Sequence, residues 1–277
     1  MLFDCKDTGK FSFSQTNSVS LQLNLREIET RINKRILLAS VDSTNNEARR
    51  RLDNNDELPE ISVIIADEQT SGRGQRGNSW EAEAGKNLLF SIVCHPDFLK
   101  ASEQFVLSQV MALAVALTVN EVVVTDECRV KWPNDIYIGN KKVSGTLIEC
   151  DLRGSNIETC IIGTGININQ EVFHSDAPNP VSMAQIAGKE FDREAILSQI
   201  LGRFITIYDV IRQGDADAVR RLYKVWLYRK SGFYKYADAN GEFLAEIADV
   251  EKTGHLVLRL ENGELRRYEF KDVKIVI

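Results

Sequence analysis

Proline is scarce, with 5 residues in 277, and histidine scarcer still, with 3. So little proline excludes a collagen-like or proline-rich chain, and 43% hydrophobic against 27% charged residues is the composition of a globular protein with a sizeable core. The five cysteines (Cys5, Cys94, Cys128, Cys150, Cys160) are odd in number, widely spaced and without a C-x-x-C pair, and the histidines lie far apart. Neither a disulfide framework nor a structural zinc site is expected. A basic surplus is also lacking: 34 Lys plus Arg face 40 Asp plus Glu, a net charge of -6. That balance argues against binding nucleic acid chiefly by neutralising phosphates. The apolar stretch Val110 to Val119 is about half the ~20 residues of a membrane span, and Asn120 and Glu121 close it, so it reads as a buried core helix. Met1 to Ser20 carries Asp4, Lys6, Asp7 and Lys10 and lacks the continuous apolar stretch of a signal peptide. The expected compartment is the cytoplasm, with no membrane partner.

What is present is a strand-rich middle with helices beside it. Residues 1 to 33 alternate weakly and are rich in Ser, Thr and Asn, which suits a lead-in strand or a loosely attached arm. Ile36 to Val41 reads as a strand and Asn45 to Leu52 as a helix opened by Asp42, Ser43 and Thr44, with Glu47 in capping-box spacing from Thr44. Ile61 to Ala66 is another strand. Asp67 to Lys86 then shows neither a helical nor a strand period, and an unpatterned stretch of that length points to a functional loop or a disordered one. The pattern resumes with a strand over Asn87 to Cys94, a long helix over Glu103 to Val123 and a short strand over Arg129 to Trp132. A hairpin over Asp135 to Glu149, turning at Gly139-Asn140, and a strand over Ile157 to Ile168 follow. Helices are expected from Asp192, as N-cap, to Gly214 and over Ala216 to Leu227. Beyond Arg229, short strands separated by Asn240-Gly241, Thr253-Gly254 and Asn262-Gly263 predict a small antiparallel barrel. The division expected is therefore 1–33, 34–227 and 228–277.

Four clusters carry chemistry. Gly72-Arg73-Gly74-Gln75-Arg76-Gly77 matches G-x-G-x-x-G literally, but Asn78 to Gly85 follows where a dinucleotide fingerprint needs an apolar helix. A phosphate-binding Walker loop fails as well, because Trp80 stands where its first glycine would be. The loop still offers flexible backbone, two guanidiniums and an indole, able to fold over an anion and stack on a base, or merely to link two strands. Lys131-Trp132-Pro133-Asn134-Asp135 precedes Lys142-Val143-Ser144-Gly145, and across the hairpin Asp135 and Lys142 could meet, if only as an ordinary ion pair. Gly163-Thr164-Gly165-Ile166-Asn167 places two glycines inside an apolar strand, the mark of a bulge or of a close approach by ligand or backbone. Asp42-Ser43-Thr44-Asn45 reads as a helix cap whose free N–H groups could also meet a ligand.

Together, in this order and spacing, these clusters, with Gln69 and Trp80, resemble the biotin protein ligases. That family activates biotin with ATP and attaches it to a lysine of a biotin carboxyl carrier domain. The resemblance runs from Ile36 to the C-terminus, and implies an α+β fold: a central mixed sheet of class II synthetase-like type with flanking helices, then a small SH3-like barrel. It also implies roles. Ser43, Thr44, Asn45, Gln69, Gly72, Arg73, Gly74, Gln75 and Lys142 would hold biotin, whose ureido ring needs a neutral hydrogen-bonding lining. Arg76, Trp80, Lys131, Asn134, Asp135 and Asn167 would hold ATP or the adenylate, with Mg2+ arriving on ATP near Asn134 and Asp135 and no metal held by the protein alone. Arg73 and Lys142 would neutralise the two anions that must meet, carboxylate and α-phosphate. Asp135 is the candidate base for the acceptor lysine, since only roughly one lysine amine in two thousand is neutral at pH 7.

Two departures stand out. Many relatives have Arg where this chain has Gln75, which bears on how tightly the loop retains a reactive adenylate. Some relatives carry an N-terminal winged helix-turn-helix and repress biotin operons, whereas here the catalytic pattern begins by Ile36. Lipoate and octanoyl transferases share the fold, but their Arg-Arg-x-x-Gly-Gly-Gly and His-Asp motifs are not found, nor is the Ala-Met-Lys-Met segment of a carrier. A non-catalytic sensor is the other rival, opposed by the intact Arg73, Asp135 and Lys142. The oligomeric state, monomer or homodimer, stays open. No DNA partner is expected: a footprinting assay on a biotin operator should show no specific, salt-resistant protection.

Overall fold

The computed structural model describes residues 25–175 and 179–277, without the side chains of Leu25 and Arg76. Chain order runs α1 (Leu25–Arg31), β1 (Lys34–Val41), α2 (Thr44–Asp53), β2 (Ser62–Gln69), β3 (Leu88–Cys94), α3 (Phe105–Val123), β4 (Cys128–Lys131), β5 (Asp135–Ile138), β6 (Lys141–Arg153) and β7 (Asn156–Ile166). Next come α4 (Met183–Ala187), α5 (Arg193–Arg212) and α6 (Ala216–Val225), and then β8 (Tyr234–Asp238), β9 (Gly241–Val250), β10 (Leu256–Leu260), β11 (Leu265–Tyr268) and β12 (Lys274–Ile275). Two sheets result. Seven strands lie in the order β1-β2-β3-β7-β6-β5-β4, with β1 and β2 parallel and every other pair antiparallel. The α+β expectation holds: a mixed sheet with helices, followed by a five-stranded antiparallel sheet β11-β10-β9-β8-β12.

The two faces of the large sheet differ because side chains alternate along each strand. One face takes Cys160 and Ile162 of β7 and Phe90, Ile92 and Cys94 of β3 into the main core with α3 and α5. Helix α3 is apolar nearly all round for that reason: the window that could pass for a membrane span is 72% buried within the fold. The other face is covered only in part by α2, whose Ala48 joins Leu58, Ile64, Val93 and Ile161 in a small separate cluster. Beyond that cluster the same face carries Ser91, Gly163, Gly165 and Gly145. It is there that the sheet is left open for a ligand.

Residues 25–33 correct one expectation. They form neither a strand nor a loose arm. Helix α1 sets Ile28, 5% exposed, against α5 at Gly202, where an added Cβ would come within 2.7 Å of the isoleucine Cδ1. Arg31 donates two hydrogen bonds to Asp209, at 2.7 and 2.8 Å, which fixes the helix along α5. The expectation for residues 1–24 lies outside the described residues.

The barrel hairpins turn at the expected pairs Asn240-Gly241, Thr253-Gly254 and Asn262-Gly263, with Gly241, Gly254 and Gly263 in the left-handed region at φ 118°, 94° and 86°. The barrel packs on the large sheet through Trp132, which donates to the Gly254 carbonyl at 2.9 Å and meets the Phe270 ring edge-on at 5.8 Å. Tyr236, Leu256 and Leu258 of the barrel join the same core cluster as α3. Cutting Ile28 to Ala should destabilise the protein by about 2 kcal/mol or more, read as a lower urea midpoint with an unchanged slope.

Candidate active site

A cavity of about 700 Å³ opens over the uncovered face of the sheet, within the usual size of a small-ligand site. Its floor is made by glycines. A Cβ on Gly163 would lie 2.0 Å from Asn45 Oδ1, and one on Gly165 would lie 2.4 Å from Trp80 Cε2. A Cβ on Gly145 would crowd both Trp80 and the Lys142 ammonium, at 3.2 Å from each. Two glycines in an apolar strand thus mark a close approach: α2 and the glycine loop lay their side chains flat on the strands.

One wall is neutral and hydrogen-bonded. Ser91, buried in the otherwise apolar β3, places Oγ 2.7 Å from both Thr44 Oγ1 and Asn45 Oδ1. Gln69 Oε1 accepts from the Thr44 N–H at 2.8 Å and from its hydroxyl at 3.1 Å. The capping box therefore does not form. Ser43 is the N-cap, in extended backbone and without a side-chain cap, while Glu47 turns away to Arg50 and Arg51. A tertiary contact from Gln69 replaces the local one and leaves Ser43, Thr44 and Asn45 to line the cavity. Asp42 stays outside, where hydrogen bonds from Arg50 hold its carboxyl well below the usual range against some burial, with Asn46 adding to the effect.

The other wall is charged. Arg73 reaches Glu149 at 2.9 Å and Asn46 at 2.7 Å, and Glu149 also accepts from Asn45 at 2.7 Å. Lys142 pairs with Asp135 at 2.8 Å, with its ammonium 5.7 Å from the Trp80 ring centroid. Gln75 donates to the Thr146 carbonyl at 3.3 Å from a 3-10 turn over Gln75–Gly77, and the bridge Arg73–Ser79 closes the loop into a narrow neck. Ordered turns thus occupy a stretch without sequence period. Trp80 Nε1 and Asn167 Oδ1 are buried without a hydrogen-bond partner, and both residues line the cavity. Buried polar atoms without a partner are rare in proteins and call for an explanation, which a bound ligand would supply for these two.

Of the residues expected to touch ligand, Ser43, Thr44, Asn45, Gln69, Arg73, Gly74, Gln75, Trp80, Asp135, Lys142 and Asn167 share this one cavity. Three others do not line it. Gly72 serves the neck, where its carbonyl accepts from the Trp80 N–H at 2.9 Å and a Cβ would meet the Trp80 carbonyl at 2.5 Å. Asn134 is buried beneath, donating to Ser108 Oγ at 2.9 Å. Lys131 lies over the Tyr137 ring at 4.8 Å and contacts its hydroxyl at 3.2 Å, and burial pushes its ammonium pKa down. The side chain of Arg76 lies outside the described residues.

Sequence reasoning missed Ser91, Glu149 and the barrel residues Phe270 and Lys271, all but the first two of which line the cavity directly. A lone serine in the run Leu88 to Cys94 was a usable signal, as was Glu149 on the same strand face as Gly145. Glu81 was missed too: burial works against its charge, yet hydrogen bonds from Ser175 and His174 prevail and hold its carboxyl below the usual range.

The biotin/lipoate A/B protein ligase family model matches residues 37–167, the span that contains every one of these loop and strand motifs. The match spans just under half of the chain, and over those residues the chain is similar to this family. Among curated relatives, the bifunctional ligase/repressor BirA of Bacillus spizizenii is 28% identical over 82% of this chain and 70% of its own length. The biotin--[acetyl-CoA-carboxylase] ligase of Paracoccus denitrificans is 29% identical over 61% of this chain and 70% of its own. Across the bifunctional relatives the chain spans as little as 54% of their length. In three dimensions the fold matches the biotin protein ligase of Aquifex aeolicus, solved with biotin and ATP, at a TM-score of 0.73 and 23% identity over 88% of this chain and all of that one. The floor glycines of this cavity admit a direct test. Gly163→Ala should displace Asn45 and lower ligand affinity at least ~10-fold, about 1.4 kcal/mol, measured by calorimetric titration with biotin, with the fold retained by circular dichroism.

Proposed function

We propose that this chain is an ATP-dependent biotin protein ligase that forms biotinyl-5'-AMP and then transfers biotin to a lysine of a biotin carboxyl carrier protein. The carrying observation is the division of one cavity into a neutral wall (Thr44, Asn45, Gln69) and a cationic one (Arg73, Lys142). The ureido ring of biotin suits the first, and its carboxylate with the α-phosphate suits the second. In the first step a biotin carboxylate oxygen attacks the α-phosphorus, the bond to the β-phosphate oxygen breaks and pyrophosphate leaves. Arg73 and Lys142 act by neutralising charge as it spreads over the pentavalent centre. Holding two reactants in register can remove ~7 kcal/mol or more of the barrier.

In the second step the carrier amine attacks the acyl carbon and AMP departs. The Lys142–Asp135 pair, at 2.8 Å, gives the two steps an order. While Lys142 sits on Asp135, that carboxylate is engaged; when an anionic ligand draws the ammonium away, Asp135 becomes free to take the proton from the incoming amine. Trp80, on the glycine floor, is suited to stack on the adenine. Mg2+ is assigned to the nucleotide substrate, arriving near Asn134 and Asp135, with ligands supplied mainly by phosphates and water. The proposed division of labour is a ligand-binding domain over 34–227 and a barrel over 228–277, working in the cytoplasm, where ATP, biotin and the carrier meet, and without a DNA partner.

Pyrophosphate release requiring both biotin and ATP, and biotin label appearing on a carrier domain, is the expected result; release with lipoate instead, or none, would overturn the reading. Lys142→Ala should lower kcat for adenylate formation about 100-fold or more in a chain that stays folded. Asp135→Ala should slow transfer from preformed biotinyl-5'-AMP, and unchanged transfer would remove its role as base.

A further inference from the structure

Three cations line the cavity among the described residues: Arg73, Lys142 and Lys271. The first two are held by carboxylates, Glu149 and Asp135. Lys271 differs. Its ammonium donates to a neutral acceptor, the Gln75 carbonyl on the glycine loop, at 3.2 Å, and lies 6.0 Å from the centroid of the Phe270 ring. No carboxylate among the described residues pairs with it. An anion entering the cavity must pull Arg73 or Lys142 off an existing partner, whereas Lys271 needs only to leave or share a carbonyl. Of these three, the least costly cation to recruit therefore comes from the barrel.

The backbone adds an independent observation. Lys271 stands at φ 77°, in the left-handed region that favours glycine and disfavours a long side chain. The turn there is tied by Asp272, which accepts from the Glu269 N–H at 3.2 Å and donates its own N–H to the Glu269 carbonyl at 3.1 Å. Nothing in those bonds requires the lysine side chain. A strained residue retained at the mouth of a cavity is a sign of use. The glycine loop itself carries Gln75, a neutral residue, at the point that Lys271 touches.

We propose that Lys271 is an anion-binding residue of this active site, meeting a phosphate of the bound nucleotide from the barrel side and tying the barrel to the glycine loop through Gln75. This rests on the ATP-dependent reading above. It makes the barrel a contributor to nucleotide binding and to retention of the acyl adenylate, bringing a further cation to the loop at Gln75.

The test uses the full chain with Lys271→Gly, which suits the backbone, and Lys271→Arg, which keeps the charge. Expected for Lys271→Gly are a rise of about tenfold in KM for ATP, a KM for biotin that changes much less, and faster release of biotinyl-5'-AMP into solution. Its unfolding midpoint should stand at or above the parent's, and Lys271→Arg should recover most of the ATP affinity. An unchanged KM for ATP and unchanged release in Lys271→Gly, with the parent turning over, would overturn this inference and leave the ligase reading standing. Should the parent release no pyrophosphate, that reading fails instead. Calorimetric titration with Mg-ATP then decides the role of Lys271: binding weakened in Lys271→Gly supports it, and equal binding overturns it.

Discussion

The contact on which the site depends is the approach of two side chains to bare strand backbone. Asn45 lies over Gly163 and Trp80 over Gly165 at distances no Cβ could share, and Trp80 also lies over Gly145, where a Cβ would be crowded. Sheet faces normally bury their side chains against a helix, as Ile161 does beneath Ala48 one step along the same strand. Removing the side chains from three neighbouring positions lowers the floor, and the helix and loop that would otherwise pack on it become the walls of a cavity. Ser91 sits directly opposite Gly163 in the sheet and gives the wall its polar anchor from below.

Electrostatic balance follows from the same placement. Glu149 shares the strand face of Gly145 and so meets Arg73 and Asn45 together, while Asp135 meets Lys142 across the β5–β6 hairpin. Both pairs are partly exposed, so as isolated ion pairs they contribute under about 1 kcal/mol to stability. Their consequence is functional: each cation is held in position yet can be exchanged for a ligand anion at modest cost. A buried pair would resist that exchange, because separating it leaves a charge without solvent.

The barrel belongs to the same physical unit. Trp132, immediately after β4, docks on Gly254 and Phe270, and this seats the turn that carries Phe270 and Lys271 at the cavity. The KWPND segment thereby acts on the site in two directions. Asp135 reaches the cavity directly, whereas Trp132 brings in the barrel and Asn134 ties the segment to α3 through Ser108.

Most of this architecture was legible in the residues. Alternation located the strands of both sheets, the Asn-Gly pairs located the barrel turns, and the spacing of Asp135 and Lys142 across Gly139-Asn140 foretold their contact, because each rests on neighbours close in the chain. Local rules failed where distant partners compete. Thr44 and Glu47 have the spacing of a cap, but Gln69 and Ser91 take the threonine, and Arg50 and Arg51 take the glutamate. Residues 25–31 have a weak pattern and become a helix because Gly202 leaves room for Ile28. By itself the sequence determined the elements and the chemical inventory of the loop, since short-range periodicity and turn chemistry are written residue by residue. Only the tertiary structure decided that Ser91, Glu149 and Lys271 stand with them around one cavity, because strand register and barrel docking are set by packing between segments far apart in the chain.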